Sequence, residues 1–286
     1  MIHVIKNNIL EIGINTKGAE LEFINKDGVN RLWQRSDLWM RQSPILFPFI
    51  ARLKGKYYLY QNQRYEMLEN HGFANKSEFD IIELTETKIK LALLDNPSTY
   101  AIYPFNFKFV VGYELIDNSI VVTFEVVNKT DRIMYFQVGG HPGFTYDAGN
   151  GETADDYIVM FDEPVDYELY NHIDNFVEKK RVFSEAKRKF FIPKELIKKH
   201  DTVVFENVNN VTLISNTGKK IRIDCPKMQF LALWGKQVEN PPFICLEPWT
   251  GLCDEITTNH NLEEKFTISK LNTNETYNTD YKITID

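Results

Sequence analysis

Four stretches of this chain carry side chains able to move protons or grip oxygen-rich ligands, and each interrupts an otherwise regular pattern. Residues Phe136–Phe144 read FQVGGHPGF and hold His141 among three glycines and a proline. Pro142 fixes its own φ and pushes His141 toward an extended conformation, while the glycines leave room beside it. Histidine titrates nearest neutrality, so a histidine in this setting can give and take a proton. Taken alone, His141 reads equally well as a packed core residue. Residues Pro241–Gly251 carry Glu247 behind an apolar run, Phe243–Leu246, with Pro248 directly after it. The run predicts a strand that delivers Glu247 to a sheet end, and Pro248 is expected to stop the ladder there. A carboxylate so near the core is costly unless paired or functional.

The other two stretches supply possible ligand grips. In Ser43–Lys56, an apolar, proline-broken segment leads to Arg52, Lys54 and Lys56. Arginine offers a rigid fork of donors suited to oxygen-rich ligands, although a surface arginine lying over the core gives the same pattern. In Glu69–Ala74, His71 precedes Gly72 and by itself reads as a turn residue. Trp234 and Trp249 have rings that suit a sugar's C–H face, and equally suit a core.

Positioning these groups falls to short strands. Period-two alternation rich in β-branched and aromatic residues predicts strands over Ile9–Ile14, Glu20–Ile24, Lys88–Leu94, Phe107–Leu115, Ser119–Asn128, Val211–Ser215, Lys220–Asp224, Lys265–Ile268 and Tyr281–Ile285. Turn residues separate them at Asn25–Gly28, Asp117-Asn118, Asn128–Asp131 and Asn216–Gly218. The one helix expected is Pro193–Lys199, with proline at its first position. Many strands and almost no helix mean an all-β chain, a large antiparallel β-sandwich. No linker, repeat or low-complexity tract divides residues 1–286, which are expected to form a single domain.

The totals narrow the function. A chain of 286 residues buries enough apolar surface to need no staples. Net charge −7 argues against a nucleic-acid surface, and the basic runs Lys179–Arg181 and Lys187–Lys189 read as solvated faces. No apolar run is long enough to span a bilayer. Cys225, Cys245 and Cys253 form no CxxC pair, and no signal peptide is visible at Met1–Asn7, so a cytoplasmic protein with reduced thiols is expected. The sequons at Asn75 and Asn128 then read as chance matches.

Arg52, His71, His141 and Glu247, in this order on an all-β chain, resemble the aldose 1-epimerase (galactose mutarotase) family, and most nearly its LacX-like branch. The resemblance spans nearly the whole length: Leu46-Phe47-Pro48 before Arg52, Asn70-His71-Gly72, Gly140–Phe144 and Leu246–Trp249. It implies a twisted β-supersandwich with an open cleft for an aldohexose, no metal and no organic cofactor. By residue match it implies that His141 is the general acid and Glu247 the general base. Arg52 and His71 would hold the sugar near its ring oxygen and anomeric end. Asp201 resembles a sugar-binding aspartate of the same branch, although a turn-capping role fits its neighbourhood too. Gly72-Phe73 and Pro142-Gly143 depart from the galactose-specific pattern, which bears on sugar preference more than on chemistry.

Three rivals follow from the same residues. A hexose-6-phosphate mutarotase would need a cationic pocket, for which Lys54, Lys56, Lys236 and Arg222 are candidates. A non-catalytic sugar-binding protein would keep the cleft without needing a paired acid and base. A zinc hydrolase would use His71, His141 and Glu247 as ligands, without the compact spacing that such sites show. Oligomeric state is not readable from the sequence.

Overall fold

The computed structural model describes residues 1–146, 151–165, 169–173, 176–182, 186–192, 194, 197, 198 and 201–286. Two antiparallel sheets dominate. The larger has nine strands, in the order Lys187–Phe191, Tyr157–Val165, Asn210–Ser215, Lys220–Asp224, Thr276–Ile285, Ser119–Asn128, Phe107–Ile116, Lys88–Leu94 and Asp80–Leu84. Its centre shows why alternation folds this way: Phe109, Val111, Tyr113 and Leu115 face inward opposite Val126, Phe124, Val122 and Ile120. Each such side chain contributes roughly 1.5–3 kcal/mol by leaving water.

The smaller sheet runs Thr202–Glu206, Phe230–Trp234, Phe243–Trp249, Gly139–Gly140 and Ile45–Leu46, with Gly143–Thr145 also paired to Phe243–Trp249. One face, including Leu231, Leu233, Ile244 and Leu246, joins the main core. The opposite face, with Leu46, Val204, Phe230, Ala232 and Trp249, forms a second, smaller cluster. Phe47 ties the small sheet into the main core by stacking on Phe109, with ring centroids 4.4 Å apart.

Several local expectations change. Lys265–Ile268 forms a turn, and the strand begins at Ser269. Lys265 is buried against Asp254 at 3.2 Å, and Thr267 has φ +59°, so neither residue can serve a regular ladder. Pro248 does not end its strand: it pairs with Leu231 inside Phe243–Trp249. Its nitrogen faces Gly140 between the bonds Thr250 N–H to Val138 O at 3.0 Å and Leu246 N–H to Pro142 O at 3.2 Å, so one ladder bond is missing there while its neighbours keep the strand in place. The helix expected at Pro193–Lys199 falls largely outside the described residues. A helix not expected from the sequence spans Pro97–Ile102, capped by Asn96 with Pro97 in its first turn.

Candidate active site

The register of the small sheet creates the site. Gly139 pairs with Trp249 and Gly143 with Cys245. Between these two pairs the partner strand breaks, and the count places His141 opposite Glu247. His141 is therefore not on a loop beyond a strand end but in a gap within the sheet. Its Nε2 lies 3.1 Å from Glu247 Oε2. Both residues are buried, His141 at 6% exposure and Glu247 at 0%. The contact is close but not aligned as a hydrogen bond, since neither Glu247 oxygen nor His141 Nδ1 has a hydrogen-bond partner within the protein.

Burial is the main influence on both groups. It pushes the Glu247 carboxyl well above the usual carboxylate range, and the nearby Asp201 charge adds to the rise, while the Trp249 indole opposes it. Burial likewise holds His141 well below the ordinary imidazole value, helped by neighbouring His71. The resting pair is thus neutral, with the shared proton favoured on Glu247.

His71 arrives through a backbone clamp. Its N–H donates to Ala51 O at 2.7 Å, and Ala51 N–H donates to His71 Nδ1 at 3.0 Å. Phe47 and Gly72 form a bridge beside this clamp. Gly72 has φ +71°, and a Cβ there would lie 2.3 Å from Phe47 O, so only glycine fits. With Nδ1 accepting, neutral His71 carries its proton on Nε2 and is a donor at that atom. Burial, with the Arg52 and Arg41 charges, lowers its pKa to about 4. The His71 and His141 rings lie 5.3 Å apart and line one cavity of about 350 Å³.

The other expected residues take varied places. Trp234 lies on the strand beside Glu247, with its ring 5.5 Å from His141. Its indole N–H donates to Asp201 Oδ1 at 3.4 Å, and Gln237 Nε2 reaches the same oxygen at 3.4 Å. Trp249 is buried in the second cluster and offers no open face. Arg52 is exposed; it acts on His71 through its charge and does not line the cavity His71 shares with His141. Its segment is held from behind, since Asp254 N–H donates to Arg52 O at 3.0 Å and Lys54 N–H donates to Asp254 Oδ2 at 2.8 Å.

Two residues that the sequence reading missed complete the cavity. Trp39 stacks on Phe243 at 5.1 Å and stands 5.2 Å from His141. A Cβ on Gly143 would come within 2.7 Å of the Trp39 ring, so that glycine lets the indole settle onto the broken strand. Arg41 lines the cavity with its guanidinium bonded to Asn75 O at 3.1 Å. Both precede the Ser43–Lys56 stretch by a few residues, and an aromatic and a basic residue abutting a site-like segment were the available signal.

Comparison with known proteins agrees with this architecture. The aldose 1-epimerase family model matches residues 1–283. The chain belongs to the aldose 1-epimerase family. It is 30% identical to the plasmid-encoded protein LacX of Lactococcus lactis subsp. lactis, over 98% of each chain. It is similar in structure to a galactose mutarotase related enzyme from Lactobacillus acidophilus, with a TM-score of 0.92 and 29% identity over 100% of this chain and 97% of that one. A galactose 1-epimerase from Lactobacillus acidophilus NCFM shares the fold, with a TM-score of 0.76 at 18% identity over 99% and 93% of the two chains. Among the described residues, no helix is long and apolar enough to cross a membrane.

Proposed function

We propose that this chain interconverts the α and β anomers of a free aldohexose, with His141 and Glu247 as its two proton carriers. The observation that carries the reading is their 3.1 Å approach, buried at the break of the sheet and beside a cavity. Anomer exchange requires the O1 hydroxyl to lose a proton while the ring oxygen O5 gains one. The ring opens to the aldehyde, C1 rotates, and closure returns both protons. One base and one acid suffice.

The resting neutral pair must first pass the Glu247 proton to His141 across their 3.1 Å contact. Ring opening with Glu247 as carboxylate and His141 as imidazolium moves one proton onto Glu247 and one off His141. The pair passes from oppositely charged to neutral as the sugar opens. Burial favours the neutral pair, so desolvation helps the opening step and opposes both the arming proton transfer from Glu247 to His141 and the return of charge on ring closure. The Nε2–H of neutral His71 would donate to a sugar oxygen, and the cationic Arg52 and Arg41 would favour developing negative charge. Trp39 and Trp234 would support the apolar face of the ring.

The cations suggested for a phosphate pocket do not gather. Arg222 is paired with Asp162 at 2.6 Å and with Asp224 at 2.8 Å in the large sheet. Lys54 Nζ donates to Ile256 O, and Lys236 sits over Trp234 at 5.7 Å from the ring centre, while only Lys56 lines the cavity of His71 and His141. The same cavity also holds Arg41, bonded to Asn75 O at 3.1 Å, and Lys76, paired with Glu69 at 2.5 Å; that both are already engaged within the protein favours a free sugar.

Polarimetry of freshly dissolved α-glucose and α-galactose tests the reading, with glucose 6-phosphate in parallel. The protein should accelerate exchange of a free aldose, and His141→Ala should lose on the order of 10²–10⁴ of that rate. Saturable sugar binding with no acceleration would leave a binding protein instead. A rate confined to the phosphorylated sugar would also overturn the proposal.

A further inference from the structure

The His141–Glu247 pair has a third neighbour that proton transfer does not use. Cys245 stands two residues before Glu247 on the same strand, so its side chain shares Glu247's face, opposite Gly143. The Nε2 or Nδ1 of His141, Cys245 Sγ and a Glu247 oxygen all lie within 4.8 Å of one another. All three residues are buried, and Cys245 and Glu247 are each at 0% exposure. Both Glu247 oxygens lack a hydrogen-bond partner within the protein, so the carboxylate facing His141 Nε2 is left unsatisfied by the fold.

We propose that His141, Cys245 and Glu247 form a binding site for a thiophilic divalent cation of the zinc type, and that the bound ion shuts off proton transfer. One imidazole, one thiolate and one carboxylate select zinc or cobalt over magnesium or calcium, which want all-oxygen shells. Ligand bonds of about 2.0–2.3 Å place tetrahedral donor atoms roughly 3.3–3.6 Å apart. The 3.1 Å His141–Glu247 approach is already near that spacing. From separations of up to 4.8 Å, the sulfur needs to move by about 1.5 Å at most, within reach of a side-chain torsion. On binding, the Cys245 thiol proton and the Glu247 carboxyl proton both leave to solvent, and the ion occupies the lone pairs that would carry the sugar's protons. Of the three ligands only His141 lines the cavity shared with His71, so the cation would enter past His141 from that side. His71 is not a ligand, because its Nδ1 already accepts from Ala51 N–H.

The test is Co²⁺ titration of the reduced full-length chain. One equivalent should produce a near-ultraviolet thiolate-to-cobalt band that Zn²⁺ bleaches. Cys245→Ser should abolish the band and weaken Zn²⁺ binding at least about 10-fold, whereas a Cys225→Ser/Cys253→Ser double variant should keep it. X-ray absorption of the zinc-loaded wild type should show one sulfur neighbour at about 2.3 Å, independent of how any variant folds. Absence of the band, its survival in Cys245→Ser, or a zinc shell of nitrogen and oxygen alone would overturn the proposal. These readouts need no sugar, so failure of the anomer-exchange reading would leave them untouched. If exchange is present, Zn²⁺ should suppress it at least about 10-fold and a chelator should restore it; exchange that persists in saturating Zn²⁺ would refute the blockade.

Discussion

In the nine-stranded sheet, Phe107–Ile116 and Ser119–Asn128 pair without a break along their whole lengths. In the six-stranded sheet, the chain opposite Phe243–Trp249 is cut at His141-Pro142 after only Gly139 and Gly140. The first arrangement satisfies its backbone and sends alternate side chains into one core. The second leaves a gap, and into that gap go a histidine and a glutamate whose polar atoms the fold does not satisfy. A continuous ladder stores stability; an interrupted one holds reactive groups at fixed spacing without satisfying them. If this division is right, stability and activity should separate between the two sheets.

The sharpest separation is expected at Glu247. Glu247→Gln keeps the shape but removes the proton carrier, and should cost on the order of 10²–10⁴ in anomer-exchange rate, equivalent to about 3–5 kcal/mol of barrier. Its melting temperature should stay level or rise, because the buried carboxyl has no hydrogen-bond partner to lose. Calorimetry beside polarimetry checks both; a large fall in melting temperature would make Glu247 structural and erase the contrast.

The converse belongs to the large sheet. Leu91 is fully buried and pairs with Val111 and Ile81, away from the broken strand. Leu91→Ala should cost roughly 2–5 kcal/mol in denaturant unfolding. Turnover per folded molecule should be unchanged, and a fall in kcat below the unfolding transition would show that the sheets are coupled.

Acid sensitivity separates them on a smaller scale. His71 has its pKa lowered to about 4 in the folded chain, against about 6.5 when unfolded. Above about pH 6.5 both states are neutral and the shift has no effect. As pH falls from about 6.5 to about 4, only the unfolded state takes the proton, so stability is lost across that window and the loss then levels off. The ring is part-exposed, so the loss should reach about 2–3 kcal/mol rather than the full value of the shift. His71→Asn tolerates the local φ of +65° and can still accept from Ala51 N–H. It should flatten stability between about pH 6.5 and pH 4, measured by urea midpoints; an unchanged slope would remove His71 as the cause.

The same contrast explains what could be read in advance. Lys88–Leu94, Ser119–Asn128 and Lys220–Asp224 have the bounds that alternation predicts, because a half-buried antiparallel strand writes its inward face into every second residue. Phe243–Trp249 is buried at every position, so its length could not be read from period, and Pro248 misled because the ladder bonds of Leu246 and Thr250 on either side hold the strand without its N–H. The individual residues His141 and Glu247 stood out by type. Their pairing is a matter of register between distant segments, which no local pattern encodes. Cys245 reaches the site through that same register, Trp39 and Arg41 come to it from the segment before Ile45–Leu46, and Arg52 turned out to act on the site by charge rather than by lining the cavity. The Lys265–Ile268 turn was hidden by a short polar–apolar alternation that a buried Lys265–Asp254 pair overrides.

The smallest effect lies in the connection between strands Lys88–Leu94 and Phe107–Ile116 of the large sheet, where Asn96 starts the helix Pro97–Ile102. Asn96 Oδ1 accepts from Ser98 N–H at 2.9 Å and Thr99 N–H at 3.1 Å, while Thr99 Oγ1 accepts from Asn96 N–H at 2.9 Å. These bonds satisfy donors that the first turn of a helix otherwise leaves open. Asn96→Ala should cost about 1 kcal/mol, and Asn96→Asp should recover most of it. Neither should alter anomer exchange, since the cap touches only the large sheet's periphery. A change in rate at Asn96 with stability intact would mean that the break at His141 feels the whole molecule, and the division between a stabilising sheet and a reactive one would have to be abandoned.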